Sequence, residues 1–137
     1  MYLVDTSVWV HALRPEGQPG IKARLRPLII AGEIAVTEWI LLELMTGLRK
    51  SESQETLLGW FRPIRRLTFA LNSEWERAWS NAARLRQRGI SATAGDCLIA
   101  TVALDHKVSL VHCDADFEKM KPVLPLTTED WPPHARR

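Results

Sequence analysis

Short apolar runs and helically spaced apolar residues alternate along this chain, and that alternation predicts strands followed by helices. Residues 2–5 read as a short buried strand ending at Asp5, with Thr6 or Ser7 as the cap of a helix through Val8, Trp9, Val10, Ala12 and Leu13. Arg14-Pro15-Glu16-Gly17 and Pro19-Gly20 mark a loop, and residues 21–31 form a second helix, irregular around Pro27 and stopped at Gly32. Residues 33–36 are a strand, and Thr37 caps a helix over 38–50. A helix over 51–61 ends at Pro63, and 64–69 alternates as a strand. Ser73-Glu74-Trp75-Glu76 has capping-box spacing for a helix closed by Gly89, and Thr93 opens the apolar helix 97–104. Residues 108–113 and 123–126 are the last strands, and a tail is expected from 131 to 137, around Pro132-Pro133 and the terminal arginines.

Strands that alternate with helices pair in parallel, with helices on both faces. The expected fold is therefore a single α/β domain over residues 1–137, a parallel sheet sandwiched by helices. Ligands of such sheets bind beyond the carboxyl ends of the strands. Asp5 and Asp114 stand at two such ends, and Asp96 lies in the first turn of the helix before strand 108–113.

Three carboxylates meeting on that edge raise one another's pKa, and such a cluster is stable when a cation lies between them. Oxygen-only ligation suits Mg²⁺ or Mn²⁺. The same residues also have ordinary roles. Asp5 can cap the next helix, Asp96 can favour the positive end of a helix dipole, and Asp114 with Asp116 can be turn residues. At the helical period Glu43 lies with Trp39, Thr46, Gly47 and Lys50, outside the arc of Ile40, Leu41, Leu44, Met45 and Leu48. Taken by itself, Glu43 is an ordinary exposed acid.

Composition narrows the class without naming a function. With 46% hydrophobic and 25% charged residues, the chain is a globular protein, and charges interrupt every apolar run short of a membrane span. An acid at position 5 breaks the apolar stretch a secretory leader needs, so the cytoplasm is the expected location. Cys97 and Cys113 show neither a disulfide framework nor zinc spacing. The excess of 18 basic over 16 acidic residues, a net +2, says nothing about nucleic acid by itself. Arg77, Arg84 and Arg88 align opposite a face of Trp75, Ala78, Trp79, Ala82 and Leu85 expected to be buried. That stripe is either a phosphate track for RNA or a solvated face. Arg62, Arg65 and Arg66 form a second basic group with the same two readings. Trp9, Trp39 and Trp60 are read as core or interface anchors in preference to base-stacking residues.

Four blocks, in order, resemble the PIN-domain pattern: Val4-Asp5-Thr6-Ser7-Val8-Trp9, Glu43-Leu44-Met45-Thr46-Gly47-Leu48, Thr93-Ala94-Gly95-Asp96-Cys97-Leu98-Ile99-Ala100, and Asp114-Ala115-Asp116-Phe117. The likeness covers nearly the whole chain and is closest to toxins of the VapBC type. It implies an acidic pocket of Asp5, Glu43, Asp96 and Asp114, with Asp116 contributing or supporting. Thr6 and Ser7 would orient a ligand or a water while also capping. The resemblance further implies a Mg²⁺- or Mn²⁺-dependent endoribonuclease toxin, a homodimer without membrane attachment. A cognate antitoxin would inhibit it through an apolar groove formed by helices within 22–61. One departure is His112, where the family usually has a small hydroxyl residue; its imidazole either meets the phosphate or is a satisfied structural group. Two rivals stand beside this reading: a non-catalytic binding module whose acids attract a basic partner, and an aspartate-nucleophile phosphatase. The phosphatase would need an acid where this chain has Ser7.

Overall fold

In the computed structural model, which describes residues 1–132, strand β1 (Tyr2–Val4) lies at the centre of a five-stranded sheet. Leu3 and Val4 are both fully buried, as a strand covered on two faces requires. The elements that follow are α1 (Thr6–Leu13), α2 (Pro19–Ile30), β2 (Ile34–Val36), α3 (Glu38–Thr46), α4 (Gln54–Phe61) and β3 (Arg65–Arg66). The second half contributes α5 (Asn72–Gln87), α6 (Ala94–His106), β4 (Ser109–His112), α7 (Ala115–Met120) and β5 (Thr128–Asp130). The strand order is β3-β2-β1-β4-β5, every pairing is parallel, and β1 pairs with β2 through Tyr2–Ile34 and with β4 through Tyr2–Ser109. This is the α/β sandwich expected from the alternation.

Several boundaries moved for local reasons. The cap of α1 is Asp5, whose side chain accepts from Ser7 N–H; Thr6 and Ser7 are already helical. Pro19 opens α2 as a first-turn proline, ahead of the expected start at 21. Helix α3 stops at Thr46, with Gly47 as its cap, and α4 waits for Ser53, whose Oγ accepts from Thr56 N–H at 3.3 Å. In α5, Glu74 accepts from the N–H groups of Ala70 and Leu71 at 2.9 and 3.0 Å, so the helix begins one residue before Ser73.

The strand expected over 64–69 shrinks to Arg65–Arg66, its ladder ending where Leu67 N–H donates to Val36 O at 2.9 Å. The strand expected over 123–126 is not one. Leu124 and Leu126 are buried from a turn, and the ladder with β4 is made by Thr128–Asp130. Apolar character marked burial there, and pairing lay elsewhere. Trp131, placed at the head of the expected tail, belongs to the core at 2% exposure. Its backbone N–H donates to His112 O at 2.8 Å, and the Arg24 guanidinium sits 4.2 Å over its ring. The remainder of that tail, 133–137, lies outside the described residues.

Helix α5 corrects another expectation. Trp75 and Trp79 are 47% and 64% exposed, because α5 meets α6 along the narrower line of Ala78, Asn81 and Leu85. Asn81 Nδ2 donates to Thr101 Oγ1 at 3.0 Å, and the two indoles fall on the margin of that line.

Candidate active site

Parallel pairing puts all carboxyl strand ends on one edge, and the chain winds away from β1 in opposite directions to β2 and to β4. A crevice opens at that switch point. Asp5 follows β1 directly and Asp114 follows β4 by two residues. Helix α6 returns antiparallel to β4, so its first turn, with Asp96, faces the same edge. Helix α3 leaves β2 through Thr37 and carries Glu43 on its second turn.

Asp5 is 5% exposed, and its Oδ2 is held by Ser7, from N–H at 3.0 Å and Oγ at 2.7 Å. Ser7 Oγ in turn accepts from Cys113 N–H at 2.9 Å, tying α1 to the end of β4. Thr6 Oγ1 donates to Glu43 Oε1 at 2.8 Å, linking α1 to α3. Both hydroxyls thus donate to acids of the pocket. Asp114 caps α7, accepting at Oδ1 from Asp116 N–H at 2.9 Å. Asp96, Asp114 and Asp116 each offer a carboxylate oxygen within 4.8 Å of the others.

The electrostatics show that Asp5 and Glu43 share this neighbourhood. Burial, then the charges of Asp5, Asp114 and Glu43, push the Asp96 carboxyl up to about 7. Burial and the Glu43 charge likewise raise Asp5, against the hydrogen bonds from Ser7. Neighbouring acids that hold a proton near neutrality are poised for a cation. The donors are all oxygen, which fits a hard divalent ion such as Mg²⁺ or Mn²⁺ and disfavours zinc.

Other expected site residues fall elsewhere. His112 is fully buried; its Nδ1 accepts from Asp114 N–H at 3.1 Å and its Nε2 faces Glu118 Oε2 at 2.7 Å. The buried ring thus braces the Asp114 backbone. Nothing in the spacing pointed to Glu118, which also accepts from Thr128 Oγ1 at 2.6 Å. In the arginine stripe, Arg77 makes a two-pronged pair with Asp105 at 2.8 and 2.9 Å, and Arg84 donates to Val123 O at 3.0 Å. Both thereby tie α5 to its neighbours, Arg77 to α6 and Arg84 to the turn after α7. Trp9 is buried, donating to Val4 O at 3.0 Å and edge-on to Phe61 at 4.7 Å.

A profile of the PIN domain matches residues 2–122, spanning all of these acids. The chain belongs to the PIN-domain family. Among PIN relatives, it is 31% identical over 121 residues to Ribonuclease VapC21 of Mycobacterium tuberculosis, covering 87% of this chain and 85% of that protein. It is 30% identical over 120 residues to Ribonuclease VapC11 of the same species, covering 86% and 90%. Its fold superimposes on VapBC2 from Rickettsia felis, solved bound to a promoter DNA fragment, with a TM-score of 0.75 and 22% identity over 96% of this chain and 98% of that one.

A groove of about 250 Å³ is lined by Leu13, Arg14, Leu44, Leu48, Leu57 and Trp60, from α1, α3, α4 and the residues just after α1 and α3. It agrees with an apolar groove built largely by the helices of 22–61, with Leu13 and Arg14 added from α1. Among the described residues, no helix is long and apolar enough to cross a membrane.

Proposed function

We propose that this chain is an endoribonuclease toxin that hydrolyses RNA phosphodiesters at the acidic pocket with a divalent ion, and that a cognate antitoxin silences it. The observation that carries the reading is Asp96, raised to about 7 by burial and by three other acids of the pocket. Relatives near 30% identity over most of both chains are named ribonucleases, which supplies the substrate class.

Asp96, Asp114 and Asp116 would hold the ion, with Asp5 and Glu43 completing the negative wall. A divalent ion held there would supply Lewis acidity for activating a water and for neutralising phosphodiester charge. Ser7 fixes one oxygen of Asp5, Thr6 fixes one oxygen of Glu43, and the Asp114 side chain is locked by the first turn of α7. These bonds preset the carboxylates so that little reorganisation accompanies the reaction. The groove on α1, α3 and α4 suits an amphipathic antitoxin helix, with Arg14 available to an acidic residue at its rim. We place the protein in the cytoplasm, where its RNA and antitoxin are made.

Purified protein incubated with total RNA decides the matter. Cleavage is expected with Mg²⁺ or Mn²⁺ and not with EDTA, and Asp5→Asn or Asp96→Asn should abolish it. Undiminished cleavage in chelator or by either variant would remove this mechanism.

A further inference from the structure

A second hollow on the carboxyl edge is lined by Thr37, Trp39, Leu67, Phe69, Trp75 and Leu98 and has a volume of about 190 Å³. Resting on the nuclease reading above, we infer that it is a slot for one unpaired base of the RNA next to the bond being cut, with Trp75, Phe69 and Trp39 as its stacking walls.

Position is the first argument. Thr37 and Leu67 follow the last residues of β2 and β3, so the hollow opens on the sheet edge that bears the acids. Trp39 precedes Glu43 by one helical turn on the same side of α3. Its indole also packs on Gly95, the residue before Asp96, so closely that a Cβ at 95 would overlap Nε1 and lie 2.8 Å from Cε2. Leu98, two residues after Asp96, lines the hollow as well. Trp39 and the first turn of α6 therefore form a shared wall between acids and hollow.

The aromatic groups are the second argument. Trp75 is 47% exposed, yet Phe69 holds it edge-on at 5.2 Å and 81°, so an accessible indole is presented in a fixed orientation. Trp39 keeps its place although its buried N–H has no acceptor among the described residues. A buried donor left unpaired is unfavourable, and here it points to a requirement on where the ring lies. Aromatic faces fixed beside a phosphate-processing site are how proteins hold splayed-out bases.

Charge and size select the occupant. The Arg66 guanidinium stands 3.3 Å from Glu38, which borders the hollow, and Arg65 is exposed beside it. A strand crossing this edge meets acids at the ion, then an aromatic slot, then the exposed Arg65 for its next phosphate. The volume lies below that of drug-sized ligand pockets and suits a single flat ring.

The test pairs aromatic and base removal. Binding of the full chain to a fluorescein-labelled 12-nucleotide single-stranded RNA is measured by anisotropy in EDTA, beside the same backbone without bases. Trp75→Ala is expected to weaken binding of the base-bearing strand about 10-fold. It should leave the abasic strand unaffected, whereas Ile30→Ala, at a position 77% exposed on α2, should change neither. Equal loss on both strands, or no loss on either, overturns the slot. So does a Trp75→Ala variant that keeps RNA affinity and turns a dimer into a monomer in sedimentation, since a second copy would then be the occupant. Cleavage of RNA without aromatic–base coupling defeats this inference alone. An unaltered protein that neither binds nor cuts RNA defeats the nuclease reading with it.

Discussion

Replacing Asp96 with Asn should stabilise the ion-free protein while destroying its activity. In the folded chain Asp96 titrates at about 7 against 3.8 for an unperturbed carboxyl, so the native state holds this proton more tightly than the unfolded chain does. Stability from this source is fully present below pH 3.8 and is lost as pH rises to about 7. The interval corresponds to about 4 kcal/mol. Because Asp96 is only half-buried and its repulsions are screened by solvent, about 2 kcal/mol is the working figure. For a domain of this size that is a rise in Tm of roughly 6 °C. The amide that replaces the carboxyl keeps the shape of the side chain, and the helix cap is untouched, since Thr93 Oγ1 accepts from the backbone N–H of residue 96 at 3.1 Å.

Calorimetry in EDTA at about pH 8 and about pH 3 separates this cause from a general packing effect, because only a charge penalty vanishes below the unfolded pKa. The variant should melt higher at the alkaline pH and together with the unaltered protein at the acid one. Adding Mg²⁺ should raise the Tm of the unaltered protein and narrow the gap. A variant no more stable at alkaline pH, or a gap that persists in acid, would refute the crowded-carboxylate account.

Other consequences follow from neighbouring contacts. Gly95→Ala, which in an exposed helix would add about 1 kcal/mol of stability, should here cost about 1–3 kcal/mol by chemical denaturation, because the new methyl meets the Trp39 indole. Ser7→Ala removes the hydroxyl from Asp5 and leaves Cys113 N–H without its acceptor, so it should lose about 1–3 kcal/mol of stability. Its cleavage rate at fixed Mg²⁺ should fall about 10–100-fold. At subsaturating Mg²⁺, cleavage should climb as pH passes about 7, where Asp96 gives up its proton. Raising Mg²⁺ should move that midpoint downward, since ion and proton compete for the same oxygens, and a flat pH–rate profile would contradict the assignment.

The central strands β1, β2 and β4 were legible because they are apolar on both faces, and two caps because Thr37 and Thr93 each precede a helical pattern. What escaped was information that local pattern does not hold. Val123–Leu126 has the hydrophobicity of a strand, but whether a buried segment joins the ladder depends on register against β4. Trp75 and Trp79 satisfy the helical period, yet a face crowded by Ala78 and Asn81 leaves room for a neighbour only along its centre. Glu43 shows the same limit for function. Its helical phase made it a solvated acid, and the PIN resemblance raised it to a member of the pocket. The structure places it against Thr6, a residue 37 positions away. His112 was open between two roles; its ring accepts from Asp114 N–H and meets Glu118 of α7, bracing the chain at Asp114.

Asp96 shows how magnitude separates two readings that spacing leaves equal. An acid in the first turn of a capped helix is ordinarily favourable, the helix dipole contributing about 0.3–1 kcal/mol and so lowering its pKa by less than one. Thr93 adds a further lowering contact. Were Asp96 there to serve its helix, its carboxyl would titrate below 3.8; it titrates near 7, so burial and the charges of Asp5, Asp114 and Glu43 outweigh the helix terminus severalfold. The residues immediately around it are arranged without relief for that charge: Gly95 is filled by an indole with an unpaired N–H, and Cys97 is buried behind it. The rest of α6, through Ile99, Ala100, Val102 and Ala103, is buried against the core and holds the turn in place regardless. A helix anchored by its far end can carry an unfavourable charge at its near end, and a divalent ion between the carboxylates would remove the penalty.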